Sequence, residues 1–171
     1  MVLILPPHRH NIFLVAAYSI ATTHCAVSWV IQGLRHKVFY SGDSGYFGGF
    51  KDIGERYGPF DLSMIETGAY NELWSDIHML PEQSLQAHID VKANAMMPIH
   101  NGTFDLALHD WFEPFERISQ LAKQHNVTLL TPQFGQAVML ANPHASDPWW
   151  RSMMAENQNI DELNKVVMNS H

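Results

Sequence analysis

From residue 26 onward, strand-like and helix-like segments alternate along the chain, and this alternation limits its fold more than any other feature. Residues 27–32 and 37–40 are rich in β-branched and aromatic residues and flank a short glycine-containing segment, which predicts a β-hairpin. Similar patterns predict strands over residues 60–65, 95–99 and 127–130, and helices over residues 49–57, from Pro81 onward, and over residues 113–125. Strands that alternate with helices in this way indicate an α/β fold.

The composition agrees with a folded chain and restricts its partners. The length of 171 residues is typical of one domain, and 46% hydrophobic against 16% charged residues excludes wholesale disorder. Ten Lys+Arg against seventeen Asp+Glu give a net charge of -7, which argues against nucleic acid as a partner because phosphate binding needs cationic side chains. The single cysteine, Cys25, excludes an internal disulfide and a multi-cysteine zinc cluster.

An uncharged run near the amino terminus allows two interpretations. No Asp, Glu, Lys or Arg occurs over residues 11–32, and residues 12–31 reach the roughly 20 residues that a membrane-spanning helix needs. However, His24, the hydroxyl residues near it and the β-favouring segment 27–31 dilute the apolar character, and no convincing signal peptide is present. We therefore favour a buried strand at 26–32 in a protein that is cytoplasmic or peripheral to the membrane, over a membrane anchor.

Two polar residues follow predicted strands at positions where α/β proteins bind ligands. Asp43 lies between glycines just after strand 37–40, and His100 leaves strand 95–99 directly into a glycine-containing loop. Open α/β sheets place ligand-binding groups beyond the carboxyl ends of their strands. Each residue alone also fits an ordinary turn or a hydrogen-bonded structural histidine. Together, a carboxylate and an imidazole form a ligand pair that zinc, iron or manganese accepts.

The ordered motifs around these two residues resemble the metallo-β-lactamase superfamily. They are Gly42-Asp43-Ser44-Gly45-Tyr46, Phe50-Lys51-Asp52-Ile53-Gly54, Gly58-Pro59-Phe60-Asp61-Leu62, Gly68-Ala69-Tyr70, Trp74, His78, Pro81-Glu82 and Ile99-His100-Asn101-Gly102-Thr103-Phe104. Within the superfamily, the chain is most similar to N-acylphosphatidylethanolamine-hydrolysing phospholipase D and its bacterial relatives. The resemblance covers about residues 26–138.

The resemblance implies a fold, a cofactor and a reaction. The fold would be the carboxyl-terminal half of an αββα sandwich, and the intact family holds two zinc ions at the strand ends. Asp43 would be the carboxylate that bridges the two ions, and His100 the last histidine ligand. A hydroxide shared by the metals would attack the phosphorus of a phospholipid or another phosphodiester. Tyr70, Trp74 and His78 lie in a strand-to-helix loop, where they could contact the substrate or pack against the fold.

The amino-terminal part departs from the family pattern. No His-x-His-x-Asp-His motif occurs, and His8-Arg9-His10 is not followed by its remaining residues. If residues 8–25 are written in permitted codons and read two nucleotides later, they can encode the segment that the family carries here. We therefore treat residues 1–25 as an aberrant segment for which we infer a frameshift, residues 26–142 as the half domain, and residues 143–171 as a tail with a short helix at 160–168.

These observations leave three functional hypotheses. The first is a truncated, metal-dependent phosphodiesterase of the phospholipase D type, whose missing first motif predicts weak or absent zinc binding. The second is a non-catalytic remnant of such a hydrolase, and the third is a membrane-anchored binding module. Because half a sandwich exposes an apolar sheet face, we also expect self-association.

Several polar residues receive no role in the site. Glu82 is assigned to the first turn of a helix without a catalytic role, and four histidines are assigned to the surface: His109, His125, His144 and His171.

Overall fold

The computed structural model describes residues 2–4, 13–21, 24–104 and 107–154, with residues before 27 described as backbone only. Seven strands form one sheet in sequence order: β1 (Val2–Ile4), β2 (Phe13–Ala21), β3 (His24–Gln32), β4 (Lys37–Tyr40), β5 (Phe60–Glu66), β6 (Ala93–Ile99) and β7 (Thr128–Leu129). Pairing from β1 to β4 is antiparallel, and pairing from β4 to β7 is parallel.

Three helices connect the parallel strands. They are α1 (Gly49–Tyr57) between β4 and β5, α2 (Pro81–Asp90) between β5 and β6, and α3 (Glu113–Gln124) between β6 and β7. Pro81 and Pro114 occupy the first turns of α2 and α3, where a missing backbone N–H costs no hydrogen bond. The α2 helix packs against both of the other helices, so that all three cover the same face of the sheet.

The main core lies between the helices and this covered face. Phe39 of β4 is fully buried, and its ring lies 6.0 Å from the ring of Phe50 on α1 and 5.7 Å from that of Phe60 on β5, measured between centroids. The opposite face carries a smaller cluster around Leu62 and Ala95. Apolar side chains beside this cluster are only partly buried: Val38, Met64, Met97, Val138 and Leu140. Among the described residues, the face under the helices is therefore covered more completely than the opposite face.

The structure confirms the predicted α/β class and the predicted order of elements from β3 to β7. One difference concerns the uncharged run, which forms the antiparallel strands β2 and β3 with Phe13 opposite Gln32 and Ala21 opposite His24. The sequence predicted only a strand at 26–32. Among the described residues, no helix has the length and apolar character needed to cross a membrane. The helix predicted at 160–168 lies outside the described residues.

Candidate metal centre

The carboxyl ends of β4, β5 and β6 lie together because these three strands are parallel neighbours. Each end carries a polar side chain: Asp43 follows β4, Glu66 is the last residue of β5, and His100 is the first residue after β6. The loop between β5 and α2 adds His78. Metal and substrate groups are expected at such an edge in α/β proteins.

Three of these side chains form a compact group of metal-ligand type. Glu66, His78 and His100 each offer one ligand atom, and these atoms all lie within 4.8 Å of one another. The Nδ1 atom of His78 lies 3.2 Å from Oε1 of Glu66. The rings of His78 and His100 stack with centroids 5.3 Å apart and planes inclined by 18°.

The carboxylate of Glu66 is fully buried and held from several sides. The backbone N–H of Met79 donates to Oε2 at 2.8 Å, and that of Gly68 donates to Oε1 at 3.4 Å. The main chain of Glu66 is also fixed: its N–H donates to Oγ of Ser41 at 2.9 Å, and its carbonyl accepts from Oγ of Ser84 at 2.6 Å. A buried carboxylate needs such partners to offset its lost hydration. Glu66 is therefore held in one position.

The imidazole of His78 is set by its acidic neighbours. The adjacent Glu66 carboxylate raises the pKa of His78 above its usual value, partial burial opposes this shift, and the charge of Asp43 adds to it. Although Nδ1 lies close to Glu66, the contact lacks the alignment of a hydrogen bond, and this buried atom has no hydrogen-bond partner among the described residues. This nitrogen can bind a metal ion when it is deprotonated, because a metal ligand needs the lone pair of the neutral imidazole.

His100 reaches the group through an unusual backbone conformation. Its φ angle is 64°, in the left-handed region, which histidine tolerates better than branched residues do. Its carbonyl oxygen packs against Gly68, where an added Cβ would lie 1.5 Å from that oxygen. Only glycine at position 68 therefore allows the ends of β5 and β6 to approach this closely.

The residues predicted as ligands and substrate contacts take different positions. Asp43 is exposed and lies outside the compact group, but its charge acts on His78. Trp74 donates from Nε1 to the carbonyl of Ala69 at 2.7 Å and, with Ile77 and His78, lines a shallow cavity of about 290 Å³. The ligand roles of Asp43 and His100 and the substrate contacts of Trp74 and His78 stay predictions.

Tyr70, the third predicted substrate contact, is largely buried. Only 4% of its surface is exposed, and its hydroxyl donates to Oε1 of Glu113 at 2.9 Å. Burial and this hydrogen bond raise the pKa of Tyr70, so the hydroxyl remains a donor at neutral pH. Substrate contact by Tyr70 also stays a prediction.

Two side chains near the centre differ from the sequence analysis. Glu66 was not singled out, because it directly follows the predicted strand 60–65 and carries no motif of its own. His109 was expected at the surface, but it is half-buried; its Nε2 donates to the carbonyl of Gly68 at 2.6 Å, and its ring stacks on Tyr70 at 4.2 Å. His125 and His144 are exposed as expected, and His171 lies outside the described residues. Glu82 lies in the first turn of α2 and pairs with Arg117 at 2.7 Å.

The side chains at this edge fit a divalent metal ion. Two imidazoles and two carboxylates form a mixed nitrogen and oxygen donor set, which zinc, iron and manganese all accept. The specific observation is that Nδ1 of His78 faces the Glu66 carboxylate at 3.2 Å and has no further partner among the described residues.

Comparison with known proteins assigns the family. Residues 7–101, more than half of the chain, match the family model described as the beta-lactamase superfamily domain. Over 127 residues the chain is 44% identical to an uncharacterized protein of Mycobacterium tuberculosis, which covers 72% of this chain and 34% of that protein. Over 97 residues it is 33% identical to N-acyl-phosphatidylethanolamine-hydrolyzing phospholipase D 1 of Caenorhabditis elegans, covering 54% of this chain and 27% of that protein.

The fold is also similar to that of a solved structure. The chain superimposes on the metallo-beta-lactamase fold protein YhfI from Bacillus subtilis with a TM-score of 0.58 and 17% identity, covering 78% of this chain and 51% of YhfI. The chain therefore spans about a third or less of the two relatives compared above and about half of this structure. From the family match, the fold and the donor set, we conclude that the chain belongs to the metal-dependent hydrolases of the metallo-β-lactamase fold.

Proposed function

We propose that this chain supplies the carboxyl-terminal half of a metal-dependent phosphodiesterase of the phospholipase D type. One observation carries the proposal: Asp43, Glu66, His78 and His100 converge at one sheet edge, beside an apolar cavity. The Caenorhabditis elegans relative is named for hydrolysis of a phospholipid. The coarser function, a metal-dependent hydrolase, follows from the family, whereas the phosphodiester substrate and zinc as the ion are our proposals.

Each side chain at the edge has a defined part in this proposal. Asp43 and His100 would hold the metal, which when bound supplies Lewis-acid polarisation of a phosphoryl oxygen and a more acidic water. Glu66 orients His78 by facing its Nδ1 atom. In the tautomer that carries its proton on Nε2, His78 would donate a hydrogen bond from Nε2 to a phosphoryl oxygen of the substrate. Trp74 forms the apolar wall beside His78.

The cavity next to His100 suits the apolar part of a phospholipid. It has a volume of about 840 Å³, and the described residues that line it include no Lys, Arg, Asp or Glu. Its apolar walls come from Met97, Ile99, Phe104, Phe115, Phe134 and Val138. Covering hydrocarbon with such walls is favourable by roughly 25 cal/mol per Å² of apolar surface removed from water. A lipid chain is therefore a better occupant than a charged group.

The loops at the same edge expose apolar side chains to solvent. Leu73 in the loop after β5 is 82% exposed, and Phe134 in the segment after β7 is 88% exposed. Phe104 and Leu108, in the loop after β6, are also exposed. Exposed apolar side chains around one opening are typical of interaction surfaces. We propose that the protein works at the surface of a membrane or a lipid aggregate, peripheral to it.

A second candidate, a non-catalytic remnant, is favoured by one observation. The chain contains no His-x-His-x-Asp-His motif. The same assay separates the two hypotheses. The chain is tested alone and fused to the amino-terminal portion of the mycobacterial relative, with an aryl phosphodiester and an N-acylated phosphatidylethanolamine in mixed micelles.

The phosphodiesterase proposal expects turnover by the fusion, lost with chelator and restored by zinc or manganese. A well-folded fusion without chelator-sensitive turnover on either substrate would favour the remnant. Turnover by the chain alone would show that the part of the chain before residue 26 supplies what the motif supplies in the family.

A further inference from the structure

We infer that Glu66, His78 and His100 form a metal site of their own, complete within this chain and suited to one zinc ion or a similar divalent first-row ion. The inference deepens the proposed function, on which it rests only for the chemistry that the bound ion would support. The family resemblance implies Asp43 and His100 as ligands. The inferred site instead takes two of its three ligands, Glu66 and His78, from β5 and the loop that follows it.

The distance between the first two ligands matches a shared ion. Zinc binds imidazole nitrogen and carboxylate oxygen at roughly 2.0–2.2 Å in tetrahedral geometry, which separates two ligand atoms by about 3.3 Å. Nδ1 of His78 and Oε1 of Glu66 are 3.2 Å apart and do not form an aligned hydrogen bond. The two atoms face each other at ion-pair distance, and an ion bound between them would replace that contact.

The surroundings hold the ligands in place. The N–H of Met79 fixes Oε2 of Glu66 at 2.8 Å, and Oε1, which accepts only a longer hydrogen bond of 3.4 Å from Gly68, faces the position of the ion. Hydrogen bonds to ligand carboxylates of this kind orient them and contribute to affinity. His100 is held by its left-handed backbone and by the contact of its carbonyl with Gly68.

The set of ligands indicates which kind of site this is. Two histidines and one glutamate form the donor set of several catalytic zinc sites, in which a water or substrate takes the fourth position. His100 is exposed, so the ion would be open to solvent on that side. The carboxylate of Glu66 supplies the one negative charge that partly neutralises a divalent ion.

Zinc binding by the 171-residue chain tests the inference. The chain is loaded with zinc, desalted and analysed for bound metal, and its affinity is measured by competition with a chromophoric chelator. We expect about one zinc ion per chain, and affinity at least tenfold lower in His78→Gln and His100→Asn. The control is His125→Gln, which changes an exposed histidine of α3's C-terminal end and should bind zinc like the unmodified chain.

Asp43→Asn separates the inferred site from the family's pair. The variant should retain zinc, because the Asp43 carboxylate lies outside the three-residue group. Loss of zinc in Asp43→Asn, with retention in His78→Gln, would assign the ion to Asp43 and His100 and overturn the inference. Loss of zinc in both Asp43→Asn and His78→Gln would add Asp43 as a further ligand beside Glu66, His78 and His100. A chain that retains no zinc at all also overturns it.

Folding of each variant is checked by circular dichroism and thermal unfolding without metal. Glu66 is buried, so Glu66→Gln can lower stability, and the decision rests on the half-buried His78 and the exposed His100. Asparagine is chosen at position 100 because it accepts a left-handed backbone. The readout is metal content, so this result is independent of whether the fusion hydrolyses a phosphodiester.

Discussion

Gly68 packs so closely against the carbonyl oxygen of His100 that a methyl group at position 68 would lie 1.5 Å from that oxygen. The contact joins the end of β5 to the end of β6, the two strands that carry Glu66 and His100. The metal centre therefore depends on a residue that has no ligand atom.

Gly68→Ala should disrupt the metal centre. The added methyl group forces the two strand ends apart, and overpacking of this kind costs about 1–3 kcal/mol of folding stability. We expect a lower free energy of unfolding in denaturant titrations and weaker zinc binding. Gly48→Ala is the matched control, because an added Cβ there meets nothing within 4 Å. Unchanged zinc affinity in Gly68→Ala would show that the contact does not position His100.

A buried histidine on α2 should make folding stability depend on pH. His88 is 3% exposed, its Nδ1 lies 2.8 Å from Oγ of Ser63, and burial lowers its pKa to about 4. The unfolded chain binds the proton near pH 6.5, so stability is fully present above that pH and falls as the pH decreases towards 4. Between pH 6.5 and pH 4, the free energy of unfolding should decrease by about 3 kcal/mol in total.

Urea unfolding at several pH values between 7 and 4 measures this dependence. His88→Gln removes the titrating group and should flatten the profile, at the cost of some stability at pH 7. His125→Gln, which changes an exposed histidine, should keep the slope of the unmodified chain. Equal slopes in His88→Gln and the unmodified chain would rule out this role for His88.

The partly covered sheet face should drive self-association. Met64 and Met97 lie beside the smaller apolar cluster and are only partly buried. We expect concentration-dependent oligomers in sedimentation velocity experiments, and Met64→Asp should reduce them because a carboxylate on this face opposes apolar contact. Leu34→Asp, in the exposed β3–β4 turn, is the control. A monomeric chain that unfolds cooperatively would contradict this prediction.

Asp43 should be essential for turnover in the fusion protein described above. Asp43→Asn preserves size but removes the negative charge, so we expect chelator-sensitive turnover to fall at least about 100-fold if this carboxylate holds the metal. The same change at Asp52, which is exposed in the first turn of α1, should have no effect. If the Asp43→Asn fusion turned over substrate as fast as the unmodified fusion, Asp43 would not be a metal ligand.

Much of the fold could be predicted from sequence because its signals are local. The apolar spacing of Phe50, Ile53 and Tyr57 predicts α1 without knowledge of any neighbour. Parallel strands bring their carboxyl ends to one edge, so the order of elements also predicts that Asp43 and His100, which follow β4 and β6, lie at the same edge of the sheet. These inferences need only the pattern of the chain.

The remaining features depend on contacts between residues far apart in sequence. Glu66 becomes a candidate ligand only because the loop after β5 returns His78 to within 3.2 Å of it. His109 is half-buried only because Tyr70 and Gly68 lie beside it. An acidic residue at the carboxyl end of a strand was the one local signal that could have indicated Glu66. The pairing of β2 with β3 was not predicted, because these strands contain no charged residue that would indicate which side chains face solvent.

X-ray absorption at the zinc edge of the metal-loaded 171-residue chain tests the metal centre most directly. The account predicts two imidazole nitrogens and carboxylate or water oxygens at roughly 2.0–2.2 Å from zinc, with one imidazole fewer in His78→Gln. An all-oxygen shell typical of hydrated zinc, or an imidazole count that His78→Gln leaves unchanged, would contradict it.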